Sequence, residues 1–202
     1  MIMMILCNYF PILHAIACVC CLVFVPGVGW KIGSFLGCLY LVPVLCTRIA
    51  LALHPLRNQK VKTYTADHYV WWFTFCTQTL FLRFPFLEEA LRTVPALYSF
   101  WLRLWGSKIG KLIYWTPGTL VLDRPFLRIG DHAAFGLGTR LCSHIHIEDE
   151  LWLAPIVIEA NAVTGAYSLI GPGTVLKAGE KTKVGFISPP FSVWQGGKRI
   201  SK

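Results

Sequence analysis

The side chains best suited to chemistry crowd into one short stretch of this chain. His144 and His146 are followed by Glu148, Asp149 and Glu150. A neutral imidazole, with an ordinary pKa of about 6.5, can take the proton from a hydroxyl that would otherwise be a poor nucleophile. A carboxylate on the far ring nitrogen would fix the tautomer and raise the basicity. Glu148 is the first candidate for that partner and Asp149 the second. On an extended strand His144 and His146 point to the same side, because side chains alternate with a period of two. Spacing alone therefore does not choose between them. The other histidines offer less: His14 lies in an apolar run, His54 and His68 fall near an expected membrane boundary, and His132 follows Gly130-Asp131 at a repeat corner.

The elements that must position these groups are set by a six-residue repeat. An aliphatic or similar residue followed by a small one recurs at Ile109-Gly110, Ile129-Gly130, Phe135-Gly136, Leu141-Cys142, Thr164-Gly165 and Ile170-Gly171. Small residues also recur four places after the aliphatic one, at Ala133, Thr139, Ala162, Ser168 and Thr174. Neither an α-helix nor an alternating strand has this period. A triangular parallel solenoid does: each unit is one short strand and a corner, three units make a coil, and about four coils are expected. The phase breaks between His146 and Ile158. Loops leave a solenoid at such breaks without unmaking the stack, so function is expected there.

Composition describes the rest of the chain. Of its 202 residues 55% are hydrophobic and 14% charged, against about 25% charged in an average domain. Residues 1–30 contain no Lys, Arg, Asp or Glu, and Met1–Val25 is long enough to span a bilayer. A second apolar run follows from Ile32 to Leu53, with Pro43 able to kink it and Arg48 required to snorkel. The start Met-Ile-Met-Met has no basic residue, which argues against a cleaved signal. Arg57, Lys60 and Lys62 after the second run place both ends of the hairpin on the cytoplasmic side. Aromatic residues mixed with Arg83, Arg92 and Arg103 over 69–105 suit short helices at the water–lipid boundary. The net charge of +9 fits anionic lipid head groups or a phosphate-bearing carrier, and nucleic acid is not the expected partner. Eight cysteines without paired zinc spacing are expected as free thiols, with no structural metal.

These landmarks resemble the hexapeptide-repeat acyltransferase superfamily, and within it the membrane-associated repeat modules at the ends of some nonribosomal peptide and amino-acid polymer synthetases. The resemblance runs from about Trp71 to the C-terminus. It rests on Trp71-Trp72, Leu104-Trp-Gly-Ser-Lys-Ile-Gly110, Pro125-Phe-Leu-Arg-Ile-Gly-Asp131, His144 with acids behind it, and Gly165-Ala-Tyr-Ser-Leu-Ile-Gly-Pro-Gly173. Glu159 stands where the family carries glycine.

The resemblance implies a left-handed parallel β-helix, and the apolar runs and the aromatic stretch put transmembrane and interfacial α-helices before it. The resemblance also implies His144 as general base, with Glu148 and Asp149 as the acids behind it and His146 as the second histidine. The donor would be acyl-coenzyme A or the pantetheine of an acyl carrier protein, against Gly165, Gly171, Lys177 and Lys183. Lys181, Lys198 and Arg199 are further candidates for its phosphates. A homotrimer and a membrane lipid or membrane-borne acceptor complete the expected partners. Four segments follow: a transmembrane hairpin over 1–53, interfacial helices over 54–106, the β-helix over 107–187 and a tail over 188–202, on the cytoplasmic face of an inner or plasma membrane. Two other readings stay open: a non-catalytic solenoid scaffold, and a zinc carbonic-anhydrase-like β-helix using His132, His144 and His146.

Overall fold

A computed structural model of the chain describes residues 2–57 and 59–200. It divides into two compact units. One holds the chain up to Leu56 together with Tyr64–Arg83; the other holds Arg57–Thr63 together with the chain from Phe84 onward. The stretch 54–106 is thus shared between them.

The first unit is helical: α1 (Ile2–Asn8), α2 (Phe10–Phe24), α3 (Val28–Leu53), α4 (Ala66–Thr77) and α5 (Thr79–Arg83). Pro11 sits in the first turn of α2, where its missing N–H costs nothing. Gly27 takes φ 78° between α2 and α3, a left-handed conformation that glycine adopts without strain. α3 continues through Pro43. Met3–Phe24 and Val28–Leu53 are each long and apolar enough to cross a membrane. Leu13, Val19, Val23, Leu45 and Ile49 are all more than half exposed, a surface that suits lipid better than water. The other side of the hairpin packs inward: Thr47 and Thr77 share a buried hydroxyl hydrogen bond of 2.7 Å between α3 and α4.

The aromatic stretch divides by burial. Trp71 and Phe81 in the first unit, and Tyr98, Trp101 and Trp105 in the second, are all buried, whereas Phe84, Phe86 and Phe100 are exposed. Much of this stretch is therefore core. In the second unit, α6 (Phe86–Arg92) and α7 (Leu97–Trp105) lead into the repeat.

The repeat builds three parallel ladders that the chain visits in rotation. Ile109, Ile129, Ile158, Leu176 and Trp194 are successive rungs of the first. Trp115, Phe135 and Thr164 form the second, and Val121, Leu141 and Ile170 the third. Isolated bridges carry these two on to Lys181 and Ile187. Most of these residues are buried in the stack, where each copy covers the next. Their neighbours Lys108, Arg128, Leu120 and Arg140 lie on the outer faces. The expected small residues at 133, 139, 162, 168 and 174 are all buried at corners. The ladders reach past the expected boundary at 187, because Val193–Gln195 adds a rung and turns back on Lys198–Arg199.

Register locates the interruption. Ile129 and Ile158 are neighbours 29 residues apart, whereas Ile158 and Leu176 are neighbours 18 apart, so one coil carries 11 extra residues. They form an antiparallel hairpin, His144–Ile147 with Glu150–Leu153. Gln59–Lys62 pairs antiparallel with its second strand. Val61, Leu151 and Leu153 are buried, and Lys60 Nζ stands 4.0 Å from the Trp152 ring centroid. This three-stranded sheet gives the hairpin the hydrophobic cover that a lone hairpin lacks.

Candidate active site at the base of the hairpin

Asp123, Ser143 and His144 meet where the hairpin leaves the stack. Asp123 follows the third-ladder strand Leu120–Val121, and Ser143 occupies the matching corner one coil on. The Asp123 carboxylate, 2% exposed at its side chain, accepts from the Ser143 backbone N–H at 3.0 Å. It also accepts from Nδ1 of His144 at 2.6 Å. The Ser143 hydroxyl donates to the Phe126 carbonyl at 3.1 Å, and Ala154 N–H closes the hairpin on the Ser143 carbonyl at 3.0 Å. His144 is thereby held at a corner fixed on both sides by ladder hydrogen bonds.

A second layer fixes Asp123. Its neighbour Arg124 is fully buried and donates Nε–H to Glu88 Oε1 at 2.7 Å, with a second, shorter contact from its terminal nitrogen. The guanidinium lies over Trp101 and Trp105, at 5.5 and 5.7 Å from the ring centroids. Arg92 and Tyr98 also donate to Glu88, at 3.0 and 3.1 Å. A buried charge is tolerated when it is paired and hydrogen-bonded, as here. The buried aromatic stretch thus anchors the strand turn that presents Asp123.

The electrostatics follow from this geometry. Burial alone would lower the His144 pKa, but the Asp123 charge and the hydrogen bonds to Asp123 and Cys142 outweigh it and push it up to about 10. An Nδ1–H donated to a carboxylate leaves Nε2 as the ring atom for proton transfer. His146 is exposed, and partial burial together with the neighbouring His144 charge holds its pKa below the ordinary value.

Glu148 and Asp149 lie at the hairpin tip, four and five residues along from His144, with Glu148 at φ 55°. A strand rises about 3.3 Å per residue, so the chain carries their backbone roughly 13 Å and more along the hairpin from His144. The carboxylate on His144 is Asp123, which the reading from adjacent residues missed. A usable signal was present: Asp123 and Ser143 are one coil apart in the same corner.

The sequence-predicted donor residues are spread through the later coils. Lys177 Nζ is 2.9 Å from Glu159 Oε1, and Glu159 also accepts from Ala178 N–H at 3.0 Å. The glutamate in the glycine position thus ties two coils together, and the Lys177 hydrogen bond keeps its pKa low. A Cβ on Gly165 would stand 2.2 Å from the Lys183 carbonyl oxygen, and one on Gly171 3.1 Å from that of Ser188. Close approach of successive coils accounts for both glycines. A cavity of about 640 Å³ lined by Arg92, Tyr98, Arg103, Lys111, Tyr114 and Trp115 includes none of the sequence-predicted site residues.

Cys142 completes the corner. Its thiol donates to the His144 carbonyl at 3.0 Å and lies 3.8 Å from Nδ1. Ligand-type atoms of Asp123, Cys142 and His144 all fall within 4.8 Å of one another. Two light-atom ligands of one tetrahedral Zn2+ stand about 3.3 Å apart, from bonds of about 2.0 Å. The 2.6 Å between Nδ1 and the carboxylate is instead the length of a charge-assisted hydrogen bond. His132, the third histidine of the carbonic-anhydrase reading, lies exposed at another corner with φ 59°.

No protein-family model and no curated protein matches this chain. Among solved structures it is similar to a hexapeptide-repeat-containing acetyltransferase from Vibrio cholerae, at 18% identity and a TM-score of 0.40, over 60% of this chain and 88% of that one. It is also similar to a galactoside acetyltransferase in complex with coenzyme A, at 16% identity and a TM-score of 0.37, over 55% and 74%. A maltose O-acetyltransferase from Clostridium difficile follows at 14% and 0.28, over 54% and 77%.

Proposed function

We propose that the chain is a membrane-anchored acyltransferase, with His144 as general base and Asp123 as its positioning carboxylate. The observation that carries this reading is the 2.6 Å contact between His144 Nδ1 and the buried Asp123 carboxylate, at the corner where the hairpin leaves the coil. Asp123 holds the ring and stabilises the imidazolium; Nε2 accepts the proton of an acceptor hydroxyl or amine as that atom attacks a thioester carbonyl. The proton then passes to the departing thiolate. The donor is acyl-coenzyme A or an acyl carrier thioester, its arm running past Gly165 and Gly171, with Lys177 and Lys183 near its phosphates.

In this reading the three ladders are the faces of a left-handed coil that assembles as a homotrimer. The N-terminal hairpin spans an inner or plasma membrane with the coil on the cytoplasmic side, and the acceptor arrives in the membrane. Kinship with the repeat modules of nonribosomal peptide synthetases belongs to the same proposal and rests on the sequence landmarks. The test is thioester consumption by the full chain in nanodiscs. Acetyl-, medium- and long-chain acyl-coenzyme A are offered with a lipid extract, and free thiol and labelled product are followed. Turnover that is lost in a folded His144→Ala variant supports the proposal. Turnover unchanged in that variant refutes the base, and a complete absence of turnover with coenzyme A and carrier-protein donors favours a scaffold.

A further inference from the structure

A second cluster of chemically capable side chains lies between α2 and α3, wholly within the first unit. His14, Cys18 and Cys21 stand at i, i+4 and i+7 on α2, which places them along one helix face. Cys38 faces them from α3. A ring nitrogen of His14 and the sulfurs of Cys18 and Cys38 lie within 4.8 Å of one another, and Cys21 is a further hydrogen-bonding neighbour of Cys38. His14 and Cys18 are each 4% exposed.

Three features set this cluster apart from chance packing of small thiols. His14 Nε2 lies 3.0 Å from the Cys38 carbonyl, which can only accept, so Nε2 carries the proton. The lone pair is then on Nδ1, which is buried without a hydrogen-bond partner. An imidazole whose far N–H is fixed on a carbonyl, with its lone pair turned inward, is the usual state of a metal-ligating histidine. The Cys18 and Cys38 sulfurs are 3.7 Å apart. Two thiolates on one tetrahedral Zn2+, with Zn–S bonds of about 2.3 Å, stand about 3.8 Å apart.

We propose that His14, Cys18 and Cys38 bind Zn2+, with Cys21 as the nearest further donor. Binding releases two thiol protons, and the two thiolates cancel the ion's charge. A neutral assembly is what an apolar helix pair requires. The ion clamps α2 to α3. This inference is independent of the acyltransferase proposal and departs from the sequence expectation of no structural metal.

Co2+ serves as the optical probe. The full chain in detergent, stripped with a chelator and kept reduced, is titrated with Co2+. One equivalent with a thiolate-to-cobalt charge-transfer band, displaced by Zn2+, is expected. The band is lost in Cys18→Ser and Cys38→Ser, is weakened at least about tenfold in apparent affinity in His14→Gln, and persists in Cys142→Ser. Far-UV circular dichroism shows that each variant keeps its helices, and Cys38→Ala serves if a serine variant does not fold. Absence of the band overturns the proposal, as does a band that survives both serine substitutions. A Cys18–Cys38 disulfide found by mass spectrometry as the main state of protein isolated without reductant also overturns it.

Discussion

Substituting Asp123 with Asn tests the link between geometry and chemistry directly. The side chain keeps its shape and can still accept a hydrogen bond, but its charge is gone. His144 sits at about 10 because Asp123 and the local hydrogen bonds outweigh burial, against an ordinary value of 6.5. A difference of this size corresponds to about 5 kcal/mol of preference for the imidazolium, an order-of-magnitude figure. The His144 side chain is only 14% exposed, so solvent screens little of it. In the Asp123→Asn variant only burial and the weaker contacts remain, and His144 titrates near or below 6.5. At pH 7 the native base is neutral in about one molecule in a thousand, whereas the variant is mostly neutral. Native turnover per molecule therefore climbs through pH 7 to 10, while the variant reaches a lower plateau near pH 7. The assay is a pH–rate profile of thioester consumption beside NMR titration of the His144 ring. Stability moves in step. A raised folded-state pKa stabilises fully below 6.5, and that contribution fades as pH rises toward 10. The stability gap between native protein and variant therefore narrows across that window. A native His144 that titrates near 6.5, or profiles that coincide in the two proteins, would refute the reasoning.

Further outcomes follow from the same structure. His144→Ala lowers turnover by about 10²–10⁴-fold, whereas Glu148→Gln and Asp149→Asn at the hairpin tip change it less than about twofold, in the same thiol-release assay. Gly165→Ala, whose methyl meets the Lys183 carbonyl oxygen, destabilises the coil by about 1–3 kcal/mol in thermal unfolding. Glu88→Ala leaves the buried Arg124 guanidinium uncompensated and costs about 3–5 kcal/mol in denaturant unfolding, with a loss of turnover as Asp123 shifts.

The repeat was legible because each corner imposes local steric demands, and those demands write themselves into consecutive residues. The break was legible for the same reason: His-Ile-Glu-Asp-Glu satisfies no corner. What lay beyond reach was contact between coils. Asp123 meets His144 across 21 positions, and the coil between them is 20 residues long, not 18, because the turn Arg124–Phe126 lies within it, so a strict six-residue count does not align the two corners. Glu148 was the nearer carboxylate in sequence, but a strand carries its side chains away from one another, and the hairpin takes it to the tip. Lys60 and Lys62 read as charges following a membrane span. In the fold they flank Val61 in a strand whose partner lies about ninety positions later, a pairing that no local pattern announces. Trp101 and Trp105 looked like boundary residues by composition, yet they pack around Arg124, because an aromatic face serves a buried cation as readily as a head group.

The eleven-residue excursion has a consequence for how such a chain can vary. All three ladders resume in register after it, so the stack is indifferent to how many residues pass through that corner. Doubling the length of a flexible loop costs only about 0.6 kcal/mol in closure entropy. One residue added inside any strand would turn every later side chain of that strand from core to solvent. Tolerance to insertion is therefore highest at this corner, beside the histidine, where a longer or shorter hairpin would reshape the acceptor's approach while leaving the coil beneath it intact.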